Sequence, residues 1–174
     1  MYYDSPLDCD LILEQAPRVY MGEIPRDFDE IPAPVVVNLC GVFPPGYAGE
    51  HVVLALPMLD TLDTSAQVDQ ERLERFLASV HVHASEQASY WHCHAGLNRS
   101  GFALAAYLHL YRDLRISETI TLLRERRSGM VLCNNVFERA LREWYGDEDE
   151  QDFQIFSLEI YLQERRRRRE RGLV

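Results

Sequence analysis

His92-Cys93-His94-Ala95-Gly96-Leu97-Asn98-Arg99-Ser100-Gly101 decides how this chain is read. Ahead of it, Ser89-Tyr-Trp-His92 is a short, aromatic, strand-like stretch; behind it, residues 100–111 form an apolar run of helical length. A loop that closes onto a helix N-terminus turns free backbone N–H groups toward one spot, where the helix dipole favours an anion. Gly96 gives the backbone the freedom those N–H groups need to converge. Cys93 stands at the loop's entrance, where such a field lowers a thiol pKa from about 8.5 to as little as about 3.5. Arg99 offers a planar fork for two phosphate oxygens, and Ser100 can donate a hydrogen bond to the sulfur as it leaves. The stretch reads as a phosphate cradle with a nucleophile at its base. Cys93, Arg99 and Ser100 carry the chemistry, and His94, Ala95, Gly96, Leu97 and Asn98 line the anion site.

Outward from the cradle, strands and helices alternate. Arg18-Val-Tyr-Met-Gly22, Val35-Val-Val-Asn-Leu39 and Val52-Val-Leu-Ala-Leu56 are β-prone runs stopped by Gly22, Gly41 and Pro57. Val68, Leu73, Phe76, Leu77 and Val80 have helical spacing. Ser117 reads as the N-cap of a helix that Ser128-Gly129 ends, and a last domain helix runs over residues 135–145 to Gly146. The expectation is an α/β fold, a mostly parallel central sheet covered on both faces and flanked by helices. Residues 1–16, rich in Asp, read as an irregular or docking arm, 17–146 as the domain, and 147–174 as an appendage. In the appendage an acidic stretch, 147–152, precedes a weakly amphipathic helix over residues 153–163 and then five consecutive arginines, Arg165-Arg-Arg-Arg-Arg169.

Composition bounds the function. The chain has 174 residues, 47% of them hydrophobic, enough for one domain with a real core. Its net charge is −10 and every basic residue is Arg. An acidic body disfavours nucleic acid, which leaves the arginines at 165–169 as the one place for such a contact, beside readings as a solvated tail or an intramolecular clamp onto 147–152. Residues 1–10 carry three Asp and no positive charge, unlike a secretory leader, and the longest uncharged stretch is broken by Pro and Gly. The expected setting is cytoplasmic, with thiols reduced and no membrane span. His81 and His83 would share a strand face and His92-Cys93-His94 alternates, but no spacing matches a common zinc site, so neither metal nor cofactor is expected.

The Cys-x5-Arg-Ser signature between strand and helix resembles the phosphate-binding loop of cysteine-dependent phosphatases of the dual-specificity branch. Val19-Tyr-Met-Gly22 and Val36-Val-Asn-Leu39 resemble strands of that family, and Cys133-Asn-Asn-Val-Phe137 resembles its Pro-Asn-x-x-Phe segment with Cys in place of Pro. The resemblance covers residues 17–146. It implies that His92 orients the loop, and that an Asp about thirty residues before the Cys acts as general acid. Leu56-Pro-Met-Leu-Asp60 fits the family's x-Pro-x-x-Asp, with Asp63 as the competing acid. It further implies a metal-independent hydrolase of phosphotyrosine, and in a shallow pocket of phosphoserine and phosphothreonine, in a phosphorylated protein. Asn38-Leu39-Cys40 resembles a segment that forms a protective disulfide in some relatives, which makes Cys40 the candidate redox partner of Cys93. The alternatives are an RNA 5′-phosphatase, since Gly96-Leu-Asn98-Arg99 resembles the loop of capping-type RNA triphosphatases, and a binding module that captures phosphate without turnover.

Overall fold

The computed structural model describes residues 7–43, 49–62, 69–146 and 158–172. Among the described residues, short β-branched and aromatic runs form five strands: β1 (Cys9–Leu13), β2 (Val19–Gly22), β3 (Val35–Asn38), β4 (Val52–Ala55) and β5 (Ser89–His92). They make one sheet in the order β1-β2-β5-β3-β4. β2, β5, β3 and β4 run parallel, and β1 pairs antiparallel with β2. The mostly parallel sheet is therefore as expected, but part of the acidic arm proves to be its edge strand. An edge strand needs little burial: Ile12 alone of β1 is fully inside, so its sequence lacks the continuous apolar run that marks β3.

The described residues also form five α-helices: α1 (Gln70–Ala84), α2 (Arg99–Arg112), α3 (Ile116–Arg126), α4 (Asn135–Tyr145) and α5 (Leu158–Glu170). Successive side chains of a strand face opposite sides of the sheet. Met21, Val37 and Trp91 enter the large core with Leu73 and Leu77 of α1, Leu104 and Leu108 of α2, Leu123 of α3 and Leu141 of α4. Val36 and Tyr90 take the other face, which Phe28, Ile31 and Ala33 cover from a short 3-10 turn and the chain after it. α2 runs through the middle of the large core, buried continuously from Ser100 to Leu108. At roughly 1.5–3 kcal/mol for each large apolar side chain removed from water, Phe102, Leu104 and Leu108 fix that helix, and with it the loop that feeds it.

Several boundaries differ from the sequence reading. α1 continues to Ala84, so His81 and His83 lie in a helix rather than on a strand; His81 stacks on Tyr111 with ring centroids 4.1 Å apart. α3 starts after Arg115, because the Glu118 carboxylate accepts the Arg115 N–H at 2.9 Å, and Ser117 is buried in the first turn. The arginine run belongs to α5, where Arg167 and Arg168 pair with Asp10 and Glu23 while Arg166 and Arg169 stay exposed. The acidic 147–152 segment lies outside the described residues. Among the described residues no helix is long and apolar enough to cross a membrane.

Candidate active site

β5 ends at His92 and α2 begins at Arg99, so residues 93–98 form the loop between the sheet's carboxyl edge and a buried helix. That is the place in an open α/β sheet where ligands bind. The bend rests on two glycines. Gly96 has φ +66°, and a Cβ on it would fall 2.3 Å from the carbonyl carbon and oxygen of Gly22. A Cβ on Gly22 would in turn lie 2.6 Å from the Asp8 carbonyl and the Tyr90 hydroxyl. The Tyr90 hydroxyl donates to the Glu23 carbonyl, which ties the turn after β2 to β5.

Cys93 sits at the floor of this loop, 2% exposed. Burial alone would push its thiol pKa up. The Ser100 hydroxyl 3.4 Å from Sγ, the backbone N–H groups of Ser100 and Leu97, and the charge of Arg99 outweigh it and hold the thiol below the usual range. Asn98 occupies the N-cap position of α2 with helical backbone and no side-chain cap, which leaves the first N–H groups of the helix facing the loop. Arg99 donates from Nη1 to the Met58 carbonyl at a long 3.4 Å, and its Nε is buried with no hydrogen-bond partner among the described residues. A half-buried cation with an uncommitted, buried Nε donor beside an activated thiol suits an anion with several oxygens. His92 is fully buried and stacked on Tyr90; burial lowers its pKa to about 4, and its Nδ1 lies 3.4 Å from the Cys93 carbonyl. His94 is exposed at the rim, while Ala95 and Leu97 are half-buried.

The loop after β4 approaches the cradle from the other side. Leu56 and Met58 donate their N–H groups to the Asn38 and Leu39 carbonyls at 3.0 and 3.1 Å, which carries the chain along the end of β3. Asp60 then stands exposed above the cradle. Its carboxylate accepts from Asn98 Nδ2 at 3.1 and 3.3 Å and from Asn134 Nδ2 at 3.0 Å. Of the two candidate acids the structure joins Asp60 to the loop; Asp63 lies outside the described residues. Cys40 follows β3, the neighbour of β5, with its thiol 3.4 Å from Asn38 Oδ1. Burial raises its pKa, and the charge of Cys93 acts on it in the same direction. Both thiols are free.

A second layer beneath the cradle escaped the sequence reading. Arg127, just past α3, is 2% exposed and donates to the carbonyls of Ala95 and Gly96, both at 3.2 Å. Its remaining donors reach Asp8 at 2.6 and 3.0 Å and Asp10 at 2.8 Å. Although burial opposes it, pairing with Arg127 keeps the Asp8 carboxyl below its usual range. Arg171, just past α5, adds contacts of 3.1 Å to both acids. The sequence signal was an Asp-rich stretch and an Arg pair, neither of which names its partner. Asn134 likewise stood only within a family-like segment, with no role of its own.

Solved structures share the fold of this chain. Tk-PTP in its active form is 24% identical, with a TM-score of 0.63 over 80% of this chain and 97% of that one. A mouse putative dual specificity phosphatase complexed with zinc tungstate is 17% identical, with a TM-score of 0.66 over 84% and 91%. Human DUSP28 is 17% identical, with a TM-score of 0.61 over 82% and 97%. At these identities the likeness is one of fold. No curated protein matches. The family described as "Dual specificity phosphatase, catalytic domain" matches residues 35–147, which takes in the cradle, the Asp60 loop and all of α4; the chain belongs to that family.

Proposed function

We propose that the protein hydrolyses phosphotyrosine in protein substrates, and phosphoserine and phosphothreonine where they reach the cradle, through a phosphocysteine intermediate. The observation that carries the reading is the buried Cys93 thiol, lowered by Ser100, the loop N–H groups and Arg99, beside an Arg99 Nε with no partner among the described residues. In the first step the Cys93 thiolate attacks phosphorus and the P–O bond to the tyrosine oxygen breaks. Asp60 gives that oxygen its proton. In the second step Asp60 takes a proton from water, whose oxygen attacks phosphorus; the S–P bond breaks and phosphate leaves with the thiolate restored. Arg99 and the loop N–H groups hold the three equatorial oxygens in both steps, and Ser100 steadies the departing sulfur.

Cys40 acts as the redox partner in this reading. A peroxide oxidises the Cys93 thiolate to a sulfenic acid, and the Cys40 thiol displaces water to form a disulfide. Peptide mapping after mild oxidation should show the Cys40–Cys93 crosslink; over-oxidised Cys93 with free Cys40 refutes it.

The test of the main reading is phosphate release without added metal, wild type beside Cys93→Ser, from a phosphotyrosine peptide, a phosphothreonine peptide and a 5′-triphosphate RNA. Release from peptides that disappears in Cys93→Ser is the expected result. Release from RNA alone would replace the protein substrate with a nucleic acid one, and peptide binding with no release would make the domain a capture module.

A further inference from the structure

We propose that Asn98 is a positioning residue for the proton-transferring carboxylate: the cradle itself sets where Asp60 stands. The proposal deepens the reading of Asp60 as the acid and rests on it.

The side chain of Asn98 is used at both ends. Its Oδ1 accepts the Asn134 N–H at 3.1 Å and the Cys133 thiol at 3.4 Å. A carbonyl oxygen suits those two donors and an NH2 group does not, so the amide has one orientation. Its NH2 then faces Asp60, at 3.1 Å from Oδ2 and 3.3 Å from Oδ1. Asn134 repeats the device. Its Oδ1 caps α4 through the Val136 N–H at 3.2 Å, and its Nδ2 donates to Asp60 Oδ1 at 3.0 Å and to the Thr61 carbonyl at 3.1 Å. Two amides, each locked by a backbone N–H, thus hold one exposed carboxylate that would otherwise sample its rotamers.

Asn98 also has a fixed relation to the reacting centre. It immediately precedes Arg99, and its carbonyl accepts the Phe102 N–H at 2.8 Å in the first turn of α2. The backbone that presents N–H groups to the phosphate therefore carries the side chain that places the acid. A proton donor misplaced by about 1 Å can cost around 10²-fold in rate, so such a tether affects turnover directly. The length of the side chain matters, since an alanine or a serine at 98 is shorter than the reach from α2 to Asp60.

A merely structural role, the bracing of α4 through Asn134, would lower all substrates alike. The experiment is therefore the leaving-group dependence of kcat/KM over a series of aryl monophosphates, from nitrophenol-type to unactivated phenols. Wild type, Asp60→Asn, Asn98→Ala, Asn98→Asp and the double variant Asp60→Asn/Asn98→Ala are compared, with orthovanadate inhibition reporting the state of the cradle. Asn98→Asp keeps the oxygen that faces Asn134 and replaces the donor with a second carboxylate. The expected result is a leaving-group dependence about 10–100-fold steeper than wild type in both Asn98 variants, on top of the uniform loss that the added charge at the anion site causes in Asn98→Asp. The double variant should be no steeper than Asp60→Asn alone. Equal loss on every substrate in Asn98→Asp, or losses that multiply in the double variant, overturns the proposal while Asp60 stands. A wild-type dependence in Asp60→Asn removes the acid assignment and the proposal together. Should Asn98→Ala fail to fold, Asn98→Asp alone decides.

Discussion

Replacing Arg127 by Met separates what holds this molecule together from what it does. The guanidinium and the Asp8 carboxylate are each 1% exposed, 2.6 Å apart. Removing the cation leaves a buried carboxylate without its main partner, and such a break costs about 3–5 kcal/mol. In a chain of this length each kcal/mol is worth about 2–4 °C, so the midpoint of thermal unfolding should fall by about 6–20 °C. An exposed pair such as Arg75–Glu71, with side chains 69% and 78% accessible, is worth only about 0–1 kcal/mol. The informative comparison is the double variant Arg127→Met/Asp8→Leu. With both charges gone, most of the lost stability should return, because apolar groups of similar size replace a buried pair at little cost. Activity should stay low, since the Ala95 and Gly96 carbonyls have still lost their donor. Unfolding curves and kcat/KM on one aryl phosphate measure both. A single variant that loses less than about 1 kcal/mol, or losses that simply add in the double, would refute the reasoning. The pH dependence has a definite sign: the folded-state pKa of Asp8 is depressed, so the pair's stability is present above the ordinary value of 3.8 and is lost as pH falls below it toward the folded value.

Other outcomes follow from single positions. Gly96→Ala should abolish turnover and thiol activation together, because its Cβ would meet Gly22 backbone atoms at 2.3 Å at a φ of +66°; near-normal alkylation of Cys93 at neutral pH would contradict this. His92 is buried with a pKa of about 4 against 6.5, so the fold keeps its stability above pH 6.5 and loses up to about 3 kcal/mol as pH falls from 6.5 to about 4. Denaturant titrations of wild type and His92→Gln should diverge in that window and nowhere above it. Arg171→Glu sets a carboxylate against Asp8 and Asp10 and should lower the unfolding midpoint at low salt, with the deficit shrinking as salt rises; a midpoint that does not move would mean that α5 does not seat there.

The cradle's shape could be read from sequence because it is local. Cys93, Gly96, Arg99 and Ser100 lie within eight positions, between a strand and a helix that announce themselves. β3 was visible for a similar reason, since a strand buried on both faces is written as an uninterrupted apolar run. β1 was not, because an edge strand tolerates Asp10 and needs only Ile12 inside. Arg127 stayed hidden because its partner Asp8 lies 119 positions away, and nothing in either segment points to the other. Asn134 and Asn98 meet across 36 positions for the same reason. His81 and His83 were misplaced by a boundary: α1 simply runs on past Val80.

The contact of Arg171 with β1 reaches beyond charge. β1 is the outermost strand on its side, and an open edge is a template on which another chain can add a strand. The Asp8 carbonyl already accepts the Glu23 N–H, so alternation turns the Cys9 carbonyl outward. That carbonyl is where Arg171 donates, at 2.9 Å. The arginine stands where the next strand would hydrogen-bond. An incoming strand would first have to displace it, and a chain cut before α5 would leave that carbonyl free.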